Sequence, residues 1–168
     1  NTLDRICKTE GSSAETYRFK AARYSPVLYV IDEKKEQLAK ELEEKTGIKF
    51  GLLVGRQANV SSFMRHLLVS RFESSVAAFQ ASLNYMIQSA ERLLVWIDKR
   101  HKIPIYKKGN LPEVENFYND DGTEEIIEVF EKYEARGFFE IDMKYVCDDF
   151  IKDVNSDIAL LKNLRKQW

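Results

Sequence analysis

Along residues 59–79 (NVSSFMRHLLVSRFESSVAAF) apolar side chains fall at Val60, Phe63, Met64, Leu67, Leu68, Phe72, Val76 and Phe79. That spacing is the period of a helix with one buried face. The pattern continues through Leu83, Met86, Ala90, Leu93 and Ile97, and neither Gly nor Pro interrupts it before Pro104. The spacing predicts one helix of about 40 residues over 60–100, roughly 60 Å long at 1.5 Å per residue. Asn59 is its expected N-cap, because its side-chain carbonyl can accept a free N–H of the first turn. From Phe72 to Ile97 the gaps alternate four and three, a heptad-like stripe that calls for a partner helix. Ser74 and Ser75 mark a place for a kink, since their hydroxyls can bond back to preceding carbonyls.

A second stripe of the same kind runs through Cys147, Ile151, Val154, Ile158, Leu161 and Trp168, with Leu164 standing in where Arg165 breaks it. It predicts a helix over 145–168. Two helices with matching stripes should pack together, and a returning connection with a helix of its own makes the pair antiparallel.

Between the N-terminus and this pair the period changes. Residues 24–31 (YSPVLYVI) and 48–54 (IKFGLLV) are rich in β-branched and aromatic side chains and read as strands over about 26–31 and 48–54. They enclose a charged helix over 32–46 that buries Leu38, Ala39 and Leu42 and ends at Gly47 as a C-cap. Leu3, Ile6 and Cys7 suit one helical turn, and 14–22 a weak helix. Asp121 with Glu124 resembles a capping pair that opens a helix carrying Ile126, Ile127, Phe130 and Tyr133, closed by Gly137. Residues 138–143 read as short and extended. The expected fold is mainly α: a long antiparallel pair (60–100 with 145–168), shorter helices and a small two-strand β element, in one domain over 1–168.

Composition narrows the class. A chain of 168 residues with 44% hydrophobic and 32% charged side chains, 7 Gly and 3 Pro fits a helix-rich globular protein. No apolar run reaches the 18 or so residues of a membrane span. Cys7 and Cys147 lack metal or redox spacing, so a reduced, cytoplasmic setting is expected. The net charge of −1 is not the footprint of a free-standing nucleic-acid binder. The charge is uneven, however. Residues 99–108 (KRHKIPIYKK) are basic and 113–134 are acidic. The chain starts and stops without punctuation, as expected of a piece of a longer protein.

Each candidate for chemistry has a plainer reading. Val30-Ile31-Asp32-Glu33 mimics the strand-end acids that hold magnesium in ATPases, but the Gly-Lys-Ser/Thr phosphate loop that such sites need is missing; acids at a helix N-terminus explain it. Asp142-Met143-Lys144, with Asp121 upstream, matches half of a metal-dependent nuclease site, or else Asp142 is an N-cap. His66 and His101 have no partner at ligand spacing, and Ser74 and Ser75 have no base beside them, so no catalytic or metal-binding residue is assigned. Lys99, Arg100, Lys102, Lys107 and Lys108, with Trp96 and Tyr106 nearby, could contact phosphate and stack on bases, or simply satisfy a helix C-terminus. Arg65, Arg71 and Glu73 read as ion-pairing groups of the long helix.

Taken together, several stretches resemble a known family. They are Arg23-Tyr24-Ser25-Pro26 with Leu28-Tyr29, residues 50–57 (FGLLVGRQ), and 59–75 (NVSSFMRHLLVSRFESS) with Ala78-Phe79. The chain resembles bacterial helicase-like ATPases of the chromatin-remodeller superfamily (superfamily 2) of DNA translocases. The likeness spans about 23–168 and is densest at 50–79. Its most specific element is Arg71, Phe72, Glu73, Ser74 and Ser75, followed by Phe79; residues 150–168 resemble the helix before the second motor lobe. The resemblance implies a region between two RecA-like lobes. It implies ATP, magnesium and nucleic acid for the parent protein, with the flanking lobes as partners and no cofactor in this piece. None of the motor's catalytic motifs is present, so none of its catalytic residues carries over. Two other readings use the same residues: a helical assembly module that dimerises through the stripe, and a metal-dependent nuclease.

Overall fold

The computed structural model describes Ile6, residues 19–106 and residues 138–168. Within them lie four helices: α1 (Lys35–Thr46), α2 (Phe50–Ser74), α3 (Val76–Arg100) and α4 (Asp149–Gln167). Strands β1 (Lys102–Tyr106) and β2 (Phe138–Asp142) form an antiparallel pair. The fold is mainly helical, as the periodicity predicts, with one small two-stranded sheet. The helix expected after Asp121 and the one over 14–22 fall mostly or wholly outside the described residues.

The long helix is not continuous. Ser75 has extended backbone (φ −164°, ψ 151°), and its N–H bonds to Arg71 O at 3.1 Å. Its Oγ accepts the N–H of Ala78 at 3.0 Å and its carbonyl accepts that of Phe79 at 3.0 Å. One residue therefore closes α2 and caps α3. Each helix has 25 residues, about 37 Å at 1.5 Å per residue. Phe72 and Phe79 meet edge to face across the corner, 5.0 Å between centroids. The two helices fold back on each other. Ser61 Oγ lies 3.5 Å from Ala21 O, and Ala21 lines one small cavity with Met86 and Ala90. Collinear helices would hold residues 61 and 90 on the order of 40 Å apart. The expected Asn59 N-cap is also corrected: α2 begins at Phe50 with Lys49 before it, and Asn59 is exposed in mid-helix.

Helix α3 is the central element. Phe79, Leu83, Met86, Ile87, Ala90, Leu93, Trp96 and Ile97 are all buried along it. The expected antiparallel partner packs against it. Arg165 donates to Asn84 Oδ1 at 3.0 Å, Lys162 pairs with Glu91 at 2.5 Å, and Met143 N donates to His101 O at 3.0 Å. Residue numbers rise on one side as they fall on the other. Leu164 is fully buried, so it does replace Arg165 in the stripe. Trp168 packs edge-on against Phe72 at 5.2 Å, closing the corner end of the bundle.

Residues 20–30 strap α2 to α4. Asp157 accepts the N–H groups of Lys20 (2.7 Å) and Ala22 (2.9 Å). On the other side Gln57 Oε1 accepts Val27 N–H at 3.0 Å, and Arg65 donates to Lys20 O at 2.8 Å. Between these anchors Ala22, Val27 and Val30 enter the core beside Leu53, Leu93 and Val154.

Both expected strands are corrected. Residues 50–54 are the first turns of α2, where Phe50, Leu53, Val54 and Gln57 fall on the inward side while Gly51, Leu52 and Gly55 are exposed. Burial at helical spacing overrides β-propensity there. Residues 26–29 form a 3-10 turn with Pro26 leading, a position that suits its fixed φ. Only Val30 keeps a β-bridge, and its partner is Val146. The actual sheet pairs Ile103 with Ile141 and Ile105 with Phe139. Pro104 is tolerated because both strands of such a pair are edges. Helix α1 buries Leu38 and Leu42 as expected and ends at Gly47, whose φ of 71° is the left-handed conformation of a C-cap.

Candidate nucleic-acid interface

The basic segment begins in the last turn of α3. Lys99 and Arg100 occupy that turn and His101 follows as a left-handed C-cap (φ 54°), so three cationic or titratable groups cluster where the helix dipole favours positive charge. They do not share one role. Arg100 Nε and Nη2 grip Glu140 Oε1 and Oε2 at 2.8 and 3.4 Å, and its guanidinium lies 5.4 Å from the ring centre of buried Trp96. Burial pushes the Glu140 carboxyl up, opposed by Arg100 and then Lys102. Arg100 therefore locks α3 to β2. Trp96 is a core residue, fully buried, and is closed to stacking on a base. Lys99 and Lys102 are exposed. Lys107 and Lys108 lie outside the described residues.

Lys102 does not stand alone. It lines a cleft of about 180 Å³ between α1 and β2 that also presents Lys45 and Lys144. These come from three separate stretches of sequence, so no run of basic residues announces them. Lys34 donates to the Lys144 carbonyl at 2.5 Å and adds a further ammonium close by. Glu41, in the same cleft, accepts the Tyr145 hydroxyl at 2.5 Å. That bond holds the Glu41 carboxyl below its usual range and pushes the Tyr145 phenol up to about 12.

The family-like residues gather at the opposite end, at the α2–α3 corner. Arg71, Glu73, Ser74 and Ser75 are exposed there, and Phe79 is fully buried beneath them. Ser75 is explained by its capping bond, and Phe79 by its contact with Phe72.

The remaining candidates resolve into local structure. Asp32 pairs with Lys35 at 2.5 Å on an exposed turn, which lowers its pKa. Asp142 accepts the backbone N–H of Lys144 at 2.9 Å, the capping role, while Asp121 lies outside the described residues. His66 Nδ1 sits 2.8 Å from Ser62 O on the surface of α2. Arg65 joins the strap bond already described. Among the described residues no group of three or more His, Cys, Asp or Glu side chains is placed to hold a metal ion. No described helix is long and apolar enough to cross a membrane. Comparison with family models, curated proteins and solved structures finds no match to this chain.

Proposed function

We propose that this chain is the helical connecting strut of an ATP-dependent, helicase-like nucleic-acid translocase, without catalysis of its own. The observation that carries the reading is where the family-like residues fall. Arg71, Glu73, Ser74 and Ser75 sit exposed at the corner of a hairpin of two 25-residue helices. A hairpin braced along its length by α4 is stiff, and its exposed corner can seat against a neighbouring lobe. Such an element can fix how two lobes close on each other, a hinge-type motion. The basic end, with Lys99 and Lys102, lies at the far end of α3 and faces nucleic acid in this reading.

The alternative of dimerisation through the stripe loses its surface. The Phe79–Ile97 stripe is covered by this chain's own α2 and α4. Of the nuclease alternative the described residues hold Asp142 and Lys144, and Asp142 accepts the Lys144 N–H as a cap.

The encoding gene provides the test. Read beyond both ends of this chain, it should carry a Gly-Lys-Ser/Thr phosphate loop upstream and a second nucleotide-binding lobe downstream. Flanking sequence without either would contradict the proposal.

A further inference from the structure

The hairpin of α2 and α3 has two sides. Its inner side receives the strap, through Gln57, Ser61 and Arg65, and α4, through Asn84 and Glu91. On the outer side helical spacing sets two rows. Along α2 run Arg56, Val60, Phe63 and Leu67, of which Phe63 is 62% exposed and the others are half-buried. Along α3 run Tyr85, Gln88, Arg92, Val95 and Lys99, three and four apart in turn, all exposed except half-buried Arg92. The rows carry three cations and no carboxylate. Asp98, beside Lys99 in sequence, lies about 100° round α3 from it. We infer that residues 122–136 of this chain lie as a helix along this outer groove, parallel to α3. This goes beyond the strut reading and does not depend on it.

Charge and pattern name the occupant. Residues 107–137 belong to the part of the chain outside the described residues. Between 113 and 134 the sequence carries nine carboxylates and a single lysine, a charge complementary to Arg56, Arg92 and Lys99. Ile126, Ile127, Phe130 and Tyr133 fall at the spacing of a helical stripe opened by Asp121. A helix of about 15 residues is marginal alone in water and gains its stability by burying such a stripe. Phe63, Val60 and Leu67 on one wall and Tyr85 and Val95 on the other offer the apolar surface for it.

The tether fixes where the segment can reach. The chain leaves the described fold at Tyr106 and re-enters it at Phe138, and these two residues are cross-strand partners. Glu140, two residues on, is gripped by Arg100 at the end of α3. Gly137 is therefore held within about 10 Å of Glu140, at roughly 3.3 Å per residue. The segment thus ends beside the last turn of α3. A helix over 122–136 is about 22 Å long, and so is α3 from Tyr85 to Lys99. Its C-terminal end then meets Lys99, where the helix dipole favours a cation. A tethered segment also meets the groove at a high effective concentration, which a second copy lacks.

The test is hydrogen exchange of the 168-residue chain, read by mass spectrometry of its peptides. Amides of 124–136 should exchange at least about tenfold more slowly in the native chain than in the Phe63→Asp/Val95→Asp variant. Both substituted side chains are exposed, so α4 amides should keep their native rates in that variant. Phe130→Asp, made in the segment itself, should release the same amides and again leave α4 protected. Arg92→Glu/Lys99→Glu should speed them at low salt, with the difference shrinking at about 1 M salt, where the Debye length is about 3 Å. Unprotected 124–136 amides in the native chain, or protection that survives both apolar variants, would overturn the docking. Protection that rises with protein concentration would give the groove to a second copy instead. Duplex binding that is lost in Phe63→Asp/Val95→Asp, with 124–136 unprotected, would give it to nucleic acid. The gene-context test of the strut holds or fails separately.

Discussion

Burial holds the Asp157 carboxyl at about 6, above the usual carboxylate range, with Asp153 adding to the shift. The N–H groups of Ala22 and Lys20 and the Lys20 ammonium pull the other way and lose. The unfolded chain ionises this group near 3.9. Between those values the folded state binds the extra proton, so this group's contribution to stability is full below about pH 4. It is lost as pH rises through about 6. Urea unfolding at pH 5 and pH 7 should show the native chain gaining about 1 kcal/mol at the lower pH relative to Asp157→Asn. Equal pH dependence in the two proteins would contradict the buried ionisation. The pair Arg100–Glu140 makes a second contrast. Arg100→Ala strands a largely buried carboxylate and should cost about 3 kcal/mol. Lys102→Ala, on the exposed side, should stay within about 0.5 kcal/mol. Equal effects in chemical denaturation would mean that Arg100 is not the lock described. None of this was legible in the sequence. Arg100 reads as one more cation in a basic run, because its partner Glu140 lies forty positions away.

Among the elements, the stripes of α3 and α4 were the legible part, because heptad-like spacing reports burial directly. The beginning and the end of α2 were not. FGLLVG reads as β-rich, and what decides its helix is the inward placement of Leu53 and Gln57 beside residues 22–27. The two glycines offer a test. A Cβ at Gly51 or Gly55 meets nothing within 4 Å, and neither has positive φ. Each Gly→Ala change should therefore raise stability by about 0.5–1 kcal/mol, the helix-propensity difference. Unchanged or lowered stability in both variants, read by chemical denaturation, would contradict open helical positions at 51 and 55. At the other end, the sequence placed a kink at Ser74–Ser75 and the fold makes it a full reversal. Ser75→Ala removes the α3 cap and should cost about 1 kcal/mol, with Ser75→Asp losing little. Thermal melts of the two variants that coincide would exclude a capping role.

Over the whole molecule, the mainly helical class and the antiparallel α3–α4 pairing follow from pattern alone. The sheet followed only in part: 138–143 reads as extended and forms β2, but β1 is five residues with Pro104 at its centre, too short and too broken for a period to show. The cleft between α1 and β2 was equally hidden, because Lys45, Lys102 and Lys144 line it beside Glu41, Glu140 and Asp142 only once the chain has folded. The fold also supplies the partner that the α3 stripe demands. Sedimentation of the 168-residue chain should therefore give a monomer near 19.6 kDa. A persistent dimer, abolished by a charge at Leu83 or Leu93, would favour assembly instead. In the proposed reading the strut couples a motor to nucleic acid. Its most direct measurement is ATP hydrolysis by the protein expressed from the entire gene, with and without duplex. Duplex should stimulate hydrolysis, and the Lys99→Glu/Lys102→Glu variant should lose that stimulation while its basal hydrolysis is retained. No ATP hydrolysis in the native protein, with or without duplex, would contradict it.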